Sequence, residues 1–103
     1  MIDLSGKVFI VTGGNGGIGL GMAEGIVLAG GSVVIWGRKA DKNAAAVAQL
    51  ESLGGSATAH VCDVSDEPQV LDTMAASIAD YGRLDGLFAN AGRGGTGKPF
   101  IES

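Results

Sequence analysis

The sequence has 103 residues, 46% of them hydrophobic and 17% charged, which fits one globular domain over 1–103 and excludes a disordered chain. Its 19 glycines follow no three-residue period, so a collagen-like chain is excluded as well. The net charge of −4 argues against a nucleic-acid partner, and no apolar run reaches membrane-spanning length. The single cysteine and the lack of a signal-peptide pattern favour a cytoplasmic location.

Strands and helices are predicted in strict alternation. Short apolar or β-branched runs predict strands, and apolar residues recurring every three or four positions predict helices. In chain order we expect a strand over 7–12, a helix over 16–30, a strand over 32–36, a helix over 44–53, a strand over 57–62, a helix capped by Ser65 or Asp66, and a strand over 84–89. The order βαβαβαβ predicts a Rossmann-type α/β fold, a parallel sheet with helices on both faces.

The helical spacing also predicts which residues face the core. These are Ile18, Met22 and Ile26 in the first helix, Ala46, Leu50 and Leu53 in the second, and Val70, Met74, Ile78 and Tyr81 in the third.

The segment VTGGNGGIG, residues 11–19, follows the first predicted strand and holds five glycines. Ligands of parallel sheets bind at the carboxyl ends of the strands, where a helix N-terminus directs free N–H groups at a phosphate. The glycines fit two phosphate-binding fingerprints. These are G-x-G-x-x-G at Gly14, Gly16 and Gly19, and T-G-x-x-x-G-x-G at Thr12, Gly13, Gly17 and Gly19. A mobile turn is the other interpretation of the glycines alone.

Two further motifs favour the longer of these two phosphate-binding fingerprints. The longer loop, with Asp63-Val64 after the third strand and Asn90-Ala91-Gly92 after the fourth, resembles the short-chain dehydrogenase/reductase family in order and spacing. The segments GKVFIVTGGNGGIG, CDVSDE and YGRLDGLFANAG carry the resemblance over essentially the whole chain. It implies an oxidoreductase that transfers hydride between a nicotinamide dinucleotide and a small-molecule carbonyl or secondary alcohol, and it implies a homo-oligomer.

The resemblance also implies a set of cofactor-binding residues. The pyrophosphate and adjoining ribose would lie against Gly13, Asn15, Gly16, Gly17, Ile18 and Gly19. Asp63 would accept a hydrogen bond from the adenine amino group, and the backbone of Val64 would contact the edge of the adenine ring. The alternative for the Asp63 carboxylate is a helix cap or a solvated turn. In the triplet Asn90, Ala91 and Gly92, the asparagine would tie neighbouring backbones together and the last glycine would admit the nicotinamide ribose.

The end of the second strand bears on the choice of dinucleotide. An NAD site carries an acidic residue about 20 positions beyond the glycine loop. Gly37 stands where the family's NAD users carry aspartate, and Arg38 and Lys39 follow it. A guanidinium suits a 2′-phosphate in charge and geometry. We therefore expect Arg38, assisted by Lys39 and Lys42, to favour NADP(H) over NAD(H); a solvated basic turn is the alternative.

Three other residues are assigned to packing. His60 and Cys62 lie on one side of the third strand, but two ligands do not make a zinc site, so we expect both to be buried and no metal to bind. Trp36 is expected to pack near the adenine side of the cofactor.

No catalytic residue is predicted in the chain. The family uses a tyrosine, a lysine four positions later and a serine, whereas the only tyrosine, Tyr81, is followed four positions later by Asp85. Tyr81 also falls at the end of the third helix, away from the cofactor. The chain is therefore expected to be the N-terminal, cofactor-binding part of a longer reductase, inactive alone and prone to self-association at its fourth strand. A non-enzymatic dinucleotide-binding module is the alternative.

Overall fold

The computed structural model describes residues 3–13 and 15–89, which form one four-stranded sheet and three helices. The strands are β1 (Val8–Thr12), β2 (Ser32–Gly37), β3 (Ser56–Val61) and β4 (Gly86–Ala89), and the helices are α1 (Gly17–Leu28), α2 (Ala40–Ser52) and α3 (Glu67–Tyr81). The predicted Rossmann-type order is confirmed. The predicted site residues Asn90, Ala91 and Gly92 lie outside the described residues.

The sheet order is β3-β2-β1-β4, and every neighbouring pair of strands is parallel. The chain therefore builds outward from β1 to β3 on one side and then crosses to place β4 on the other. Such a reversal of strand order opens a crevice at the carboxyl edge of the sheet. The loop that follows β1 lies at this crevice.

Helices cover both faces of the sheet. On one face α1 and α2 form a buried cluster with alternate strand residues: Phe9, Val11, Ala23, Ile26, Val27, Val33, Ile35, Leu50 and Ala57. On the other face α3 contributes Val70, Met74 and Tyr81, which pack against Val8, Ile10, Val34, Trp36 and Cys62. Burial on both faces explains why the central strands are apolar at nearly every position.

The inner face of α1 differs from the predicted one. Ile18 is 76% exposed, and the buried residues are Gly19, Ala23, Ile26 and Val27. Apolar residues surround most of this helix, so the spacing of the large ones does not identify the face that packs on the sheet.

The other two helices differ at their ends. Helix α2 begins at Ala40, four residues before the predicted start, and ends before Leu53, which is 41% exposed. In α3 the predicted core residue Ile78 is exposed, and its neighbour Ser77 is buried instead. A hydrogen bond explains the burial of Ser77, since its Oγ accepts from Trp36 Nε1 at 2.9 Å.

Trp36 and Cys62 are confirmed as packing residues. Both belong to the α3-facing cluster and both are almost completely buried. His60 is different: its ring is only half-buried and its Nε2 lies 2.8 Å from Asp80 Oδ2 on α3. Its predicted burial is wrong, because β3 is the outer strand of the described sheet and the ring meets the exposed end of α3.

The two leucines at the end of α2 distinguish the observed packing from the predicted one. Leu50 is 0% exposed. Leu50→Ala should therefore lower the free energy of unfolding by about 2–5 kcal/mol, because it leaves a cavity in the core. Leu53→Ala is the matched control and should cost less than about 1 kcal/mol. Urea unfolding of the intact protein measures both, and equal losses would contradict the packing described here.

Candidate functional site

Three of the four strand ends open into one cleft of about 830 Å³. Its lining comes from the ends of β1, β2 and β3 and the residues that follow them: Thr12, Gly13, Asn15, Trp36, Gly37, Arg38, Lys39, Lys42, Cys62, Asp63, Val64 and Ser65. A volume of this size is typical of small-molecule and cofactor sites. Residues predicted from three separate motifs thus lie around one cleft.

Among the described residues of the glycine loop, two have a left-handed backbone. Gly13 has φ 67° and Gly17 has φ 55°, where any other residue would be strained. Both positions belong to the longer fingerprint. Gly16, the middle glycine of the shorter fingerprint, has φ −174°, an extended backbone that any residue adopts. The backbone therefore supports the T-G-x-x-x-G-x-G register.

The start of α1 is suited to an anion. Gly16 is the N-cap and offers no side-chain hydrogen bond, and the first turn of this described helix contains no acidic residue. Free N–H groups and the positive end of the helix dipole are therefore available to a negatively charged ligand. Gly19 is buried, whereas Ile18 is exposed in the same turn.

Basic side chains are concentrated after β2. Arg38, Lys39 and Lys42 line the cleft and are exposed, in a chain whose net charge is −4. Asp63 lines the same cleft from the end of β3. The cleft therefore has a basic side next to β2 and a carboxylate next to β3.

The Asp63 carboxylate is held by its own turn. Oδ1 accepts hydrogen bonds from the Ser65 backbone N at 2.9 Å and from Ser65 Oγ at 2.7 Å. These two bonds lower the pKa of Asp63 below its ordinary value, and the positive charge of Arg38 acts in the same direction. The helix cap that follows is Asp66, whose Oδ1 accepts from the Gln69 N–H at 3.1 Å. Of the two caps considered for α3, Asp66 is confirmed.

One residue beside the site was missed in the sequence. Asn43, in the first turn of α2, is 3% exposed, and its Oδ1 accepts from Asn15 Nδ2 at 3.0 Å. Its own Nδ2 donates to the backbone oxygens of Gly37, at 3.0 Å, and His60, at 3.2 Å. The sequence did hold one indication that Asn43 is buried. It stands three residues before the predicted core residue Ala46, and residues three apart lie on the same face of a helix.

Tyr81 lies at the other end of the sheet. Its hydroxyl is 2.8 Å from the Oγ of Ser56, the first residue of β3. The prediction that this tyrosine is remote from the cleft is confirmed.

Neither a metal cluster nor a membrane helix is found in the described part of the chain. Over 3–13 and 15–89, no group of three or more His, Cys, Asp or Glu residues is placed to hold a metal ion. Over the same residues, no helix has the length and apolar character to span a membrane.

The strand order, the glycine loop and the cleft together define a Rossmann-type nucleotide-binding unit. The family model described as short chain dehydrogenase matches residues 7–102. The chain belongs to the short-chain dehydrogenase family, whose members bind a nicotinamide dinucleotide.

Similar proteins include enzymes and solved structures much longer than this chain. The 2,5-dichloro-2,5-cyclohexadiene-1,4-diol dehydrogenase of Sphingobium indicum is 41% identical over 103 residues, which cover 99% of this chain and 40% of that enzyme. A xylitol dehydrogenase bound to NAD+ has a TM-score of 0.80 at 33% identity, over 82% of this chain and 33% of its own. A metagenomic short-chain oxidoreductase in complex with NADP has a TM-score of 0.78 at 34% identity. The match covers 82% of this chain and 38% of that oxidoreductase.

The turn at Asp63 gives a prediction about its titration. Ser65→Ala removes the hydroxyl that contributes most to the lowered pKa of Asp63, so this pKa should rise toward its ordinary value of 3.8. A carboxyl whose pKa is lowered by folding stabilises the protein above the unfolded-state pKa, and this contribution disappears as the pH falls through the folded-state value. In Ser65→Ala this contribution should therefore be smaller, and its loss should be complete at a higher pH than in wild type.

A carbon-13 NMR titration of the Asp63 carboxyl measures this change in the intact protein. Ser52→Ala is the control, because the Ser52 hydroxyl donates to the Gln49 backbone oxygen on the exposed end of α2. An Asp63 pKa that is the same in Ser65→Ala and Ser52→Ala would contradict the described turn.

Proposed function

We propose that the chain is the cofactor-binding part of an NADP(H)-dependent oxidoreductase that interconverts secondary alcohols and carbonyl compounds. The observation that carries this proposal is the convergence of the glycine loop, the basic end of β2 and Asp63 on one cleft. When bound, the dinucleotide supplies or accepts the hydride. The residues of this chain bind the dinucleotide and orient it.

The glycine loop is proposed to bind the pyrophosphate. Gly13 and Gly17 allow a backbone path that a larger residue could not follow without strain. The free N–H groups at the start of α1 would neutralise the phosphate charge, as at other helix N-termini. The remaining residues proposed for this contact and the adjoining ribose are Asn15, Gly16, Ile18 and Gly19.

The end of β3 is proposed to bind the adenine. Both Ser65 hydrogen bonds end at Oδ1 of Asp63, so Oδ2 is the oxygen proposed to accept from the adenine amino group. The Ser65 hydrogen bonds lower the pKa of Asp63, which favours the ionised form that accepts hydrogen bonds. Val64, exposed beside it, is proposed to contact the ring edge through its backbone.

The choice of NADP(H) over NAD(H) rests on the residues after β2. Similar structures exist with NAD+ and with NADP, so likeness to them does not decide the preference. Arg38 offers a permanent charge and a planar set of donors for a 2′-phosphate. Lys39 and Lys42 line the same side of the cleft and would add positive charge. An acid at position 37, which an NAD site would use for the ribose hydroxyls, is absent.

The nicotinamide end of the site is proposed from the family motif. Asn90, Ala91 and Gly92 are the residues assigned to it. The preceding strand supports this assignment, since Ala89 pairs with Thr12, which begins the fingerprint of the glycine loop.

The proton donor for the reaction is proposed to come from residues other than those described. Tyr81 is bound to Ser56 at the opposite end of the sheet from the cleft. A non-enzymatic module is the less favoured function, because the similar curated proteins are named dehydrogenases or reductases.

A homo-oligomer in the cytoplasm is also proposed. The homo-oligomer is proposed from the resemblance to the short-chain dehydrogenase family. The thiol of Cys62 is free and buried, which suits a reducing compartment.

Arg38 gives the experiment that tests this function. Arg38→Leu should weaken NADPH binding by about tenfold to a hundredfold, since it removes charged hydrogen bonds to the 2′-phosphate. NADH lacks this phosphate, so its affinity should change by less than about threefold. Isothermal titration calorimetry of the intact protein with each dinucleotide measures both effects.

Asp63→Ala is the control, because the adenine is common to the two dinucleotides. It should weaken NADPH and NADH binding by similar factors. A wild-type protein that prefers NADH, or equal losses for the two dinucleotides in Arg38→Leu, would overturn the proposed preference.

A further inference from the structure

Asn43 connects three segments that meet at the cleft. Its amide bonds Asn15 of the glycine loop, the backbone oxygen of Gly37 in β2 and the backbone oxygen of His60 in β3. The Gly37 oxygen also accepts from the Cys62 N–H at 3.1 Å. We propose that Asn43 is a positioning residue of the dinucleotide site, and that with Asn15 it excludes an acidic side chain from position 37.

The first part of the proposal follows from burial and hydrogen bonding. Asn43 is almost fully buried, and hydrogen bonds there are stronger and more costly to lose than bonds on the surface. Helix α2 thereby fixes the side chain of Asn15, which lines the cleft. The same amide holds the ends of β2 and β3 together, directly before Arg38 on one strand. Asn43 thus acts through residues of the cleft, which it does not itself line.

The second part follows from the space around Gly37. A Cβ atom at this position would collide with Asn15 Nδ2 and with Asn43 Oδ1, the two atoms that form the hydrogen bond between these side chains. Gly37 is not among the described glycines with positive φ, so its backbone does not require glycine. A side chain at position 37 would therefore require the amide pair to move, and three hydrogen bonds hold Asn43 in place.

The obstacle to an acid at position 37 is volume rather than charge. The new Cβ atom would lie equally close to Asn15 Nδ2, which donates, and to Asn43 Oδ1, which accepts. An NAD site uses an acidic residue at this strand end to bind the ribose hydroxyls. Preference for NADP(H) would then have two separate sources. Arg38 attracts the 2′-phosphate, and the side-chain amides of Asn15 and Asn43 occupy the space that an acidic side chain at position 37 would need. This inference rests on the proposed dinucleotide site.

The test is a cycle of four proteins: wild type, N43A, G37D and N43A/G37D. Calorimetric titration with NADPH and NADH is made on each intact protein below its melting temperature. N43A should weaken binding of both dinucleotides by similar factors of about threefold or more, because the glycine loop serves both. G37D should bind neither well. N43A/G37D should bind NADH at least about tenfold more tightly than G37D does, because space for the acid has been made.

Gln49 provides a matched control on the same helix. Its side-chain amide donates to Glu24 on the exposed surface, away from the cleft. Q49A should leave both dissociation constants unchanged. If N43A also leaves both unchanged, the positioning role is wrong. If G37D binds NADH as well as wild type, or N43A/G37D binds NADH no better than G37D, the exclusion of an acid is wrong.

A stability measurement separates this inference from the proposed function. G37A should lower the melting temperature, and N43A should cost less in the G37A background than in wild type, because N43A removes one of the two atoms with which the new Cβ collides. This result does not depend on a dinucleotide. Additive losses would overturn the inference even where NADPH binds, whereas non-additive losses without any dinucleotide binding would overturn only the proposed function.

Discussion

The structure depends on the position of β1 between two parallel neighbours, β2 and β4. All five residues of β1 are buried, because helices cover both faces of the sheet and strands cover both edges of β1. Since the strands run in one direction, their carboxyl ends lie at one edge. Residues from three distant motifs therefore converge there, and the crossing from β3 to β4 leaves the crevice into which the glycine loop projects.

The elements most fully predicted from the sequence are those with local signals. The central strands β1 and β2 were recognisable because burial on both faces requires continuous apolar runs. The start of α3 was recognisable because Asp66 caps it. The start of α2 was not, since its N-cap, Lys39, makes no side-chain capping hydrogen bond and leaves no signal in the sequence. Because the predicted helix began at residue 44, Asn43 was not assigned to its core-facing side.

The same distinction applies to the site. The glycine loop, Arg38 and Asp63 follow strands directly, so each could be proposed from its own neighbourhood in the sequence. Asn43 bonds to partners 6, 17 and 28 residues away, and only the packing of α2 on the sheet brings them together. The restriction on Gly37 arises from side chains on two other elements. The sequence shows that position 37 is a glycine, but only the structure shows which side chains would collide with a larger residue there.

The most direct test of this account is a crystal structure of the intact protein with NADP+. The 2′-phosphate should lie against the Arg38 guanidinium, the adenine amino group at Asp63 Oδ2 and the pyrophosphate over the loop between Gly13 and Gly17. An ordered dinucleotide whose 2′-phosphate points away from Arg38, or whose adenine lies outside the cleft, would contradict it.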